Sequence, residues 1–130
     1  MTEVLLDSSI VIDATNNHPD ALDYVNEFLW TNVNAVAIHA FTFAEVIVGT
    51  HDARELFRLK RFLRPFRIEY PTVDDWPDAL NFLGHLHLSH KVDLPDCLIA
   101  ATALRLKLPV ATVNDRHFRL FKGLKVIRPY

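Results

Sequence analysis

Residues 4–12 read VLLDSSIVI, and the change of pattern at Asp7-Ser8-Ser9 decides the fold. Before it, Glu3–Leu6 is a short apolar run of the kind a buried strand makes. Aspartate and serine are favoured at helix N-caps, because their side-chain oxygens accept from backbone N–H groups that have no intrahelical partner. Ile10, Val11 and Ile12 then continue into a short helix that Asn16-Asn17 ends. The same alternation recurs along the chain. A second helix begins near Pro19, with Leu22, Val25, Phe28, Leu29 and Trp30 read as core. Ala35–Ile38 is a buried strand, and Phe41–Leu63 reads as one long helix, with Gly49 a point of interruption. Phe66–Tyr70 is a strand, Asp74–Ser89 a helix and Asp96–Lys107 a strongly apolar helix. Pro109–Val113 (PVATV) is a compact strand, followed by a short helix over Asp115–Phe121 and a last strand over Leu124–Ile127. Short apolar strands alternating with helices require a parallel sheet covered on both faces, a three-layer α/β/α sandwich. The 130 residues suit a single domain, 1–130.

Composition narrows the function classes. Half of the residues are hydrophobic, and the single cysteine, Cys97, excludes an internal disulfide framework. No apolar run approaches the roughly 20 residues of a membrane helix, and MTEVLLDSS lacks the basic start of a secretory signal. The expectation is a cytoplasmic protein with no membrane partner. The net charge of −2 conceals an asymmetry: residues 1–53 hold eight acids and no lysine or arginine. Arg54, Arg58, Lys60, Arg61, Arg64 and Arg67 follow against Glu55 alone, and seven bases from Arg105 onward face only Asp115. Arg54, Arg58 and Arg61 share one helix face. Such patches are either solvated faces or binding surfaces for a polyanion.

Ligands of a parallel α/β sheet bind beyond the C-terminal ends of its strands. Four acids fall near strand exits or helix starts: Asp7, Glu45, Asp96 and Asp115. Each also has a structural reading. Asp7, Asp115 and Asp96 (behind Pro95) can cap helices, and Thr42-Phe-Ala-Glu45 has the form of a capping box. Together, carboxylates gathered at one end of a sheet repel one another, a cost that a divalent cation removes. Oxygen donors suit Mg²⁺ or Mn²⁺, and no Cys–His cluster is present for zinc. An acidic pocket flanked by arginines is what a metal-dependent nuclease needs.

The segments LLDSSIVIDA (5–14), FTFAEVIVG (41–49), LPDCLIAATA (94–103) and ATVNDRHF (111–118) resemble, in this order and spacing, the motifs of PIN-domain nucleases. The likeness is nearest to the VapC-type toxins of toxin–antitoxin operons, and it covers essentially the whole chain. It implies a central parallel sheet of about five strands and an endoribonuclease dependent on Mg²⁺ or Mn²⁺. It further implies a homodimer and a small antitoxin that binds and inhibits it. By motif position it implies Asp7, Glu45 and Asp96 as catalytic metal ligands, with Ser9 as a hydroxyl beside the metal. The fourth position falls on Thr112-Val113-Asn114, with Asp115 next to it as the carboxylate expected to contribute. Arg54, Arg58, Arg61 and Arg116 would hold the RNA. The implied chemistry is in-line attack by an activated water, leaving 5′-phosphate and 3′-hydroxyl ends.

Other features carry less. His85, His87 and His90 read as a polar helix face, His117 as an exposed helix residue, and Cys97 as a small buried one. A phosphorelay receiver would need an acid pair after the first strand and a lysine near the last. A haloacid-dehalogenase-type phosphatase would need D-x-D where the chain has Asp7-Ser8-Ser9. A catalytically weak PIN-like module that binds RNA or protein is the alternative function.

Overall fold

The computed structural model describes residues 2–130, apart from the side chain of Leu29. In order, the elements are β1 (Val4–Leu6), α1 (Ser8–Thr15), α2 (Pro19–Thr31), a 3-10 turn (Val33–Ala35), β2 (Val36–His39), α3 (Ala40–Val48) and α4 (Ala53–Leu63). They continue with β3 (Arg67–Glu69), α5 (Asp75–His90), α6 (Leu94–Leu106), β4 (Val110–Ala111), α7 (Asp115–Phe118) and β5 (Val126–Ile127). The five strands form one sheet in the order β3-β2-β1-β4-β5, and every neighbouring pair is parallel.

Because side chains alternate along a strand, β1 feeds both faces of the sheet. Val4 and Leu6 join Ile10, Val25, Ile38, Leu59 and Leu63 in a core beneath α1–α4. Leu5 turns the other way and joins Ala37, Leu98, Ile99, Val110, Phe118 and Phe121 beneath α5 and α6. The expected three-layer sandwich with five parallel strands is therefore present. Helix α6 is buried from Cys97 to Ala103, which explains its largely apolar sequence, with Thr102 polar within it: the sheet covers one side and α5 another.

Several local expectations change. The long helix expected over 41–63 is two helices. Gly49 ends α3, Thr50 Oγ1 donates to the Ile47 carbonyl at 2.7 Å, and Asp52 caps α4 by accepting from Glu55 N at 2.8 Å. The Thr42–Glu45 capping box does not form, because α3 starts earlier: His39 is the N-cap, its Nδ1 accepting from Phe41 N at 3.1 Å. Asp93 rather than Asp96 caps α6, accepting from Asp96 N at 3.0 Å. Asn114 occupies the cap position of α7, so Asp115 is its first residue rather than its cap. In α2, Val25 is buried, whereas Trp30 is 87% exposed and is not core. The core role expected of Leu29 lies outside the described residues.

Candidate active site at the strand exits

The sheet reverses its order of construction at β1: the chain runs outward through β2 to β3, then returns to β4 on the other side of β1. The crevice between the exits of β1 and β4 is thus the topological switch point, where ligands of such sheets bind. Asp7 stands there. Its backbone N–H donates to Ala111 O at 2.9 Å, closing the ladder, and its side chain caps α1.

Three donors converge on one oxygen of Asp7. Thr112 Oγ1 donates to Oδ2 at 2.8 Å, Ser9 Oγ at 2.9 Å and Ser9 N at 3.4 Å. The two hydroxyls are fixed in turn by backbone N–H groups of the β4–α7 segment: Val113 N donates to Ser9 Oγ at 3.2 Å and Asn114 N to Thr112 Oγ1 at 2.9 Å. Oδ1 of Asp7 has no hydrogen-bond partner among the described residues, although the residue is only 6% exposed. One oxygen holds the carboxylate still and the other remains available.

Glu45, on α3, accepts from Ser8 Oγ at 3.2 Å. Burial raises the pKa of its carboxyl, the Ser8 hydrogen bond opposes this, and the charges of Asp7 and Asp93 raise it further. Asp96, in the first turn of α6, is pushed up to about 8, first by burial and then by Asp93, Asp7 and Glu45. The rise marks buried carboxyls first, with neighbouring carboxylates adding to the cost of ionising them. His117 Nδ1 lies 3.0 Å from Asp96 Oδ2, so His117 turns inward rather than standing as the exposed residue expected from sequence.

Asp7, Glu45 and Asp96 therefore share one electrostatic neighbourhood, built by three separate elements. Asp93 joins them and was missed from sequence. Its signal is Asp93-Leu94-Pro95, an acid two residues before a proline in the first helical turn. Asp115, expected with the acids, is paired with two arginines: Arg119 Nε at 3.1 Å and Arg128 Nη1 at 3.1 Å hold it, and these contacts keep its pKa low. Thr112 is fully buried, while Asn114 is exposed and contributes its backbone rather than its amide.

The chemistry of the donor set fits a hard divalent cation. It offers oxygen ligands alone, including the free Oδ1 of Asp7, and carries repulsion that a cation would relieve. Among the described residues no three acidic, histidine or cysteine side chains are drawn into a closed ligand set. Cys97 is buried, and burial raises its thiol to about 11, so it is inert as a nucleophile. His85, His87 and His90 lie on the exposed side of α5, as expected.

The arginines expected to hold RNA are exposed. Arg58 lines a groove of about 520 Å³ that also includes Glu45, and Arg54 and Arg61 stand on the same helix α4. Arg116 lines a separate cleft of about 380 Å³ together with His117. Among the described residues no helix is long and apolar enough to cross a membrane.

Comparison with known proteins agrees with this arrangement. A PIN domain model matches residues 4–124. Ribonuclease VapC10 of Mycobacterium tuberculosis is 33% identical over 125 residues, covering 94% of this chain and 90% of that protein. Ribonuclease VapC19 of the same organism is 28% identical over 122 residues, 93% of this chain and 96% of that one. A toxin–antitoxin complex from Klebsiella pneumoniae contains a chain 26% identical, with a TM-score of 0.79 and 98% of each chain covered. The DNA-bound VapBC of Salmonella typhimurium is 21% identical with a TM-score of 0.85 over 100% of both chains, a likeness of fold. With its acids at the switch point of a five-stranded parallel sheet and the match running nearly end to end, the chain belongs to the PIN-domain family, among its VapC-type members.

Proposed function

We propose that this protein is a cytoplasmic, Mg²⁺- or Mn²⁺-dependent endoribonuclease, the toxin of a toxin–antitoxin pair, built as one PIN-like nuclease domain over residues 1–130. The observation that carries the reading is the gathering of Asp7, Glu45 and Asp96 at the switch point, where burial and mutual repulsion raise Glu45 and Asp96. That arrangement costs stability unless a cation is held. The VapC ribonucleases among the relatives support the activity, and the toxin–antitoxin complexes support an antitoxin partner.

Asp7, Glu45 and Asp96 would hold the cation, which when bound supplies Lewis acidity to the phosphodiester and lowers the pKa of a water. The chain's own contribution is positional. Thr112 and Ser9 fix Asp7 in one orientation, Ser8 restrains Glu45, and His117 restrains Asp96. Arg54, Arg58, Arg61 and Arg116 engage phosphates flanking the scissile bond, giving attraction without sequence preference. Asp115 is left out of the ligand set because Arg119 and Arg128 already neutralise it. Trp76 (40% exposed), Leu80 (54%) and Leu88 (87%) on α5 leave apolar surface suited to the homodimer; light scattering on Leu80→Asp/Leu88→Asp tests it by loss of the dimer mass.

Purified protein incubated with end-labelled RNA should cleave it in Mn²⁺ and not in EDTA, and Asp7→Asn and Asp96→Asn should each abolish cleavage with the fold intact. Undiminished cleavage by both variants would remove the assignment. The occupied Asp115 favours one second reading, a module that binds RNA without cutting it. Retention of intact RNA by the wild type in Mn²⁺ is the result that would select it.

A further inference from the structure

We propose that the cleft between the end of α5 and the β4–α7 segment is a nucleotide subsite, which receives one base and its phosphate from the strand being cleaved. The proposal rests on the nuclease reading above and adds where the RNA is read. The cleft is a shallow, open one lined by His90, Asn114, Arg116, His117 and Leu120, with a volume of about 380 Å³, within the roughly 300–1,000 Å³ typical of small-ligand sites. It adjoins the acids, because His117 forms part of its wall and lies 3.0 Å from Asp96.

The side chains around it have unused capacity of the kind a nucleotide needs. Arg116 pairs with no carboxylate among the described residues, whereas Arg67, Arg105, Arg119 and Arg128 are all committed to acids. The Asn114 amide is exposed and only its backbone N–H is engaged, with Thr112. A carboxamide offers the paired donor and acceptor that read a base edge, and a guanidinium fork matches a phosphate. His90, tethered through Nδ1 to Ser89 Oγ at 2.7 Å, presents a flat ring for stacking, and Leu120 supplies an apolar wall. The groove lined by Glu45 and Arg58 is a second depression, which reaches one of the acids. A strand with its scissile phosphate at the acids thus has an arginine-bearing depression for each flank.

The test uses two readouts on the full chain and on His90→Ala, Asn114→Ala and Arg116→Ala, all surface changes whose folding is checked by circular dichroism. The first is fluorescence anisotropy in EDTA with labelled 2′-O-methyl RNA oligonucleotides that vary one base at a time. The second is sequencing of the ends produced from a random RNA pool in Mn²⁺. The wild type should prefer one base at one position by at least about fivefold, and His90→Ala and Asn114→Ala should flatten that preference. Arg116→Ala should weaken all sequences alike and reduce the salt slope of binding by about one. Wild-type affinity and preference in all three variants would overturn the subsite while leaving the nuclease reading intact. A wild type that cleaves no pool in Mn²⁺ would overturn the nuclease reading, and the anisotropy measurements would still decide the cleft.

Discussion

Thr102→Val should cost this protein about 2–3 kcal/mol, although it changes one fully buried hydroxyl to a methyl of similar size. Thr102 is the middle of a buried chain of hydrogen bonds. His39 Nδ1 accepts from Phe41 N at 3.1 Å, so the ring proton sits on Nε2 and is donated to Thr102 Oγ1 at 3.0 Å. Thr102 then donates its own proton to Asp75 Oδ2 at 2.9 Å, and Arg105 Nε donates to Asp75 Oδ1 at 2.7 Å. Valine would leave the His39 N–H without an acceptor inside the core, a loss of roughly 1–3 kcal/mol. Asp75 would suffer less, since Thr72 N and Arg105 still serve it. For a chain of this length the corresponding fall in Tm is roughly 6–12 °C. Urea and thermal melts of Thr102→Val against Thr102→Ser decide the matter, because serine keeps the hydroxyl and loses only a methyl. A valine variant within about 0.5 kcal/mol of wild type, or a serine variant as unstable as the valine one, would refute the chain of bonds as a source of stability.

His39 also predicts a pH dependence: burial lowers its pKa from 6.5 to about 4. Between those values the unfolded chain binds more protons than the folded one, so this contribution is complete above pH 6.5 and is lost toward pH 4, by up to about 3 kcal/mol. The raised Asp96 carboxyl acts with the opposite sign across the same window, so the His39 contribution is read as a difference: on lowering the pH from 6.5 to 4, urea midpoints should drop further, or rise less, in the wild type than in His39→Asn. Mn²⁺ should raise the Tm of the wild type in a saturable way, and Asp96→Asn or Asp7→Asn should abolish the rise; an equal rise in all three would place the cation elsewhere. Removing Arg58 or Arg61 should weaken RNA binding for every sequence and reduce the slope of log affinity against log salt by about one each, read by titration at several salt concentrations.

The sheet was legible because its three inner strands are apolar on both faces. Val4–Leu6, Val36–Ile38 and Val110–Ala111 are fully buried, and no amphipathic alternation obscures them. Helix boundaries were less legible where two polar residues competed for one cap. Asp93 and Asp96 are equally good caps by type, and only the helical register of Pro95 separates them. Histidine at a cap is a weak signal beside threonine, so His39 lost to Thr42 on the page and won in the fold. Asp7, Glu45 and Asp96 were visible as acids at strand exits. Asp115 looked equivalent from spacing, and what sets it apart is its pairing with Arg119 one turn later and Arg128 beyond β5. The contact with Arg128 is tertiary, and spacing does not encode it.

The segments around α3 and α6 each contribute to two polar clusters, in opposite states. His39, the last residue of β2 and the N-cap of α3, belongs to the satisfied chain, and Glu45 within α3 to the repelling acids. On α6, Asp96 belongs to the acids and Thr102 further on to the satisfied chain. Repulsion among Asp7, Glu45 and Asp96 pushes the ends of these helices apart whenever their charges are uncompensated. The bonds from His39 through Thr102 to Asp75 join the N-cap of α3, α6 and α5 among buried groups, where low polarity strengthens them, and Arg105 closes the chain nearer the surface. A loosened chain of bonds should therefore allow the acids to separate. Thr102→Val should weaken Mn²⁺ binding, read by the metal concentration that half-saturates the Tm shift, and not only lower the starting Tm. A variant with lower Tm and unchanged half-saturation would show that the two clusters share helices without sharing strain.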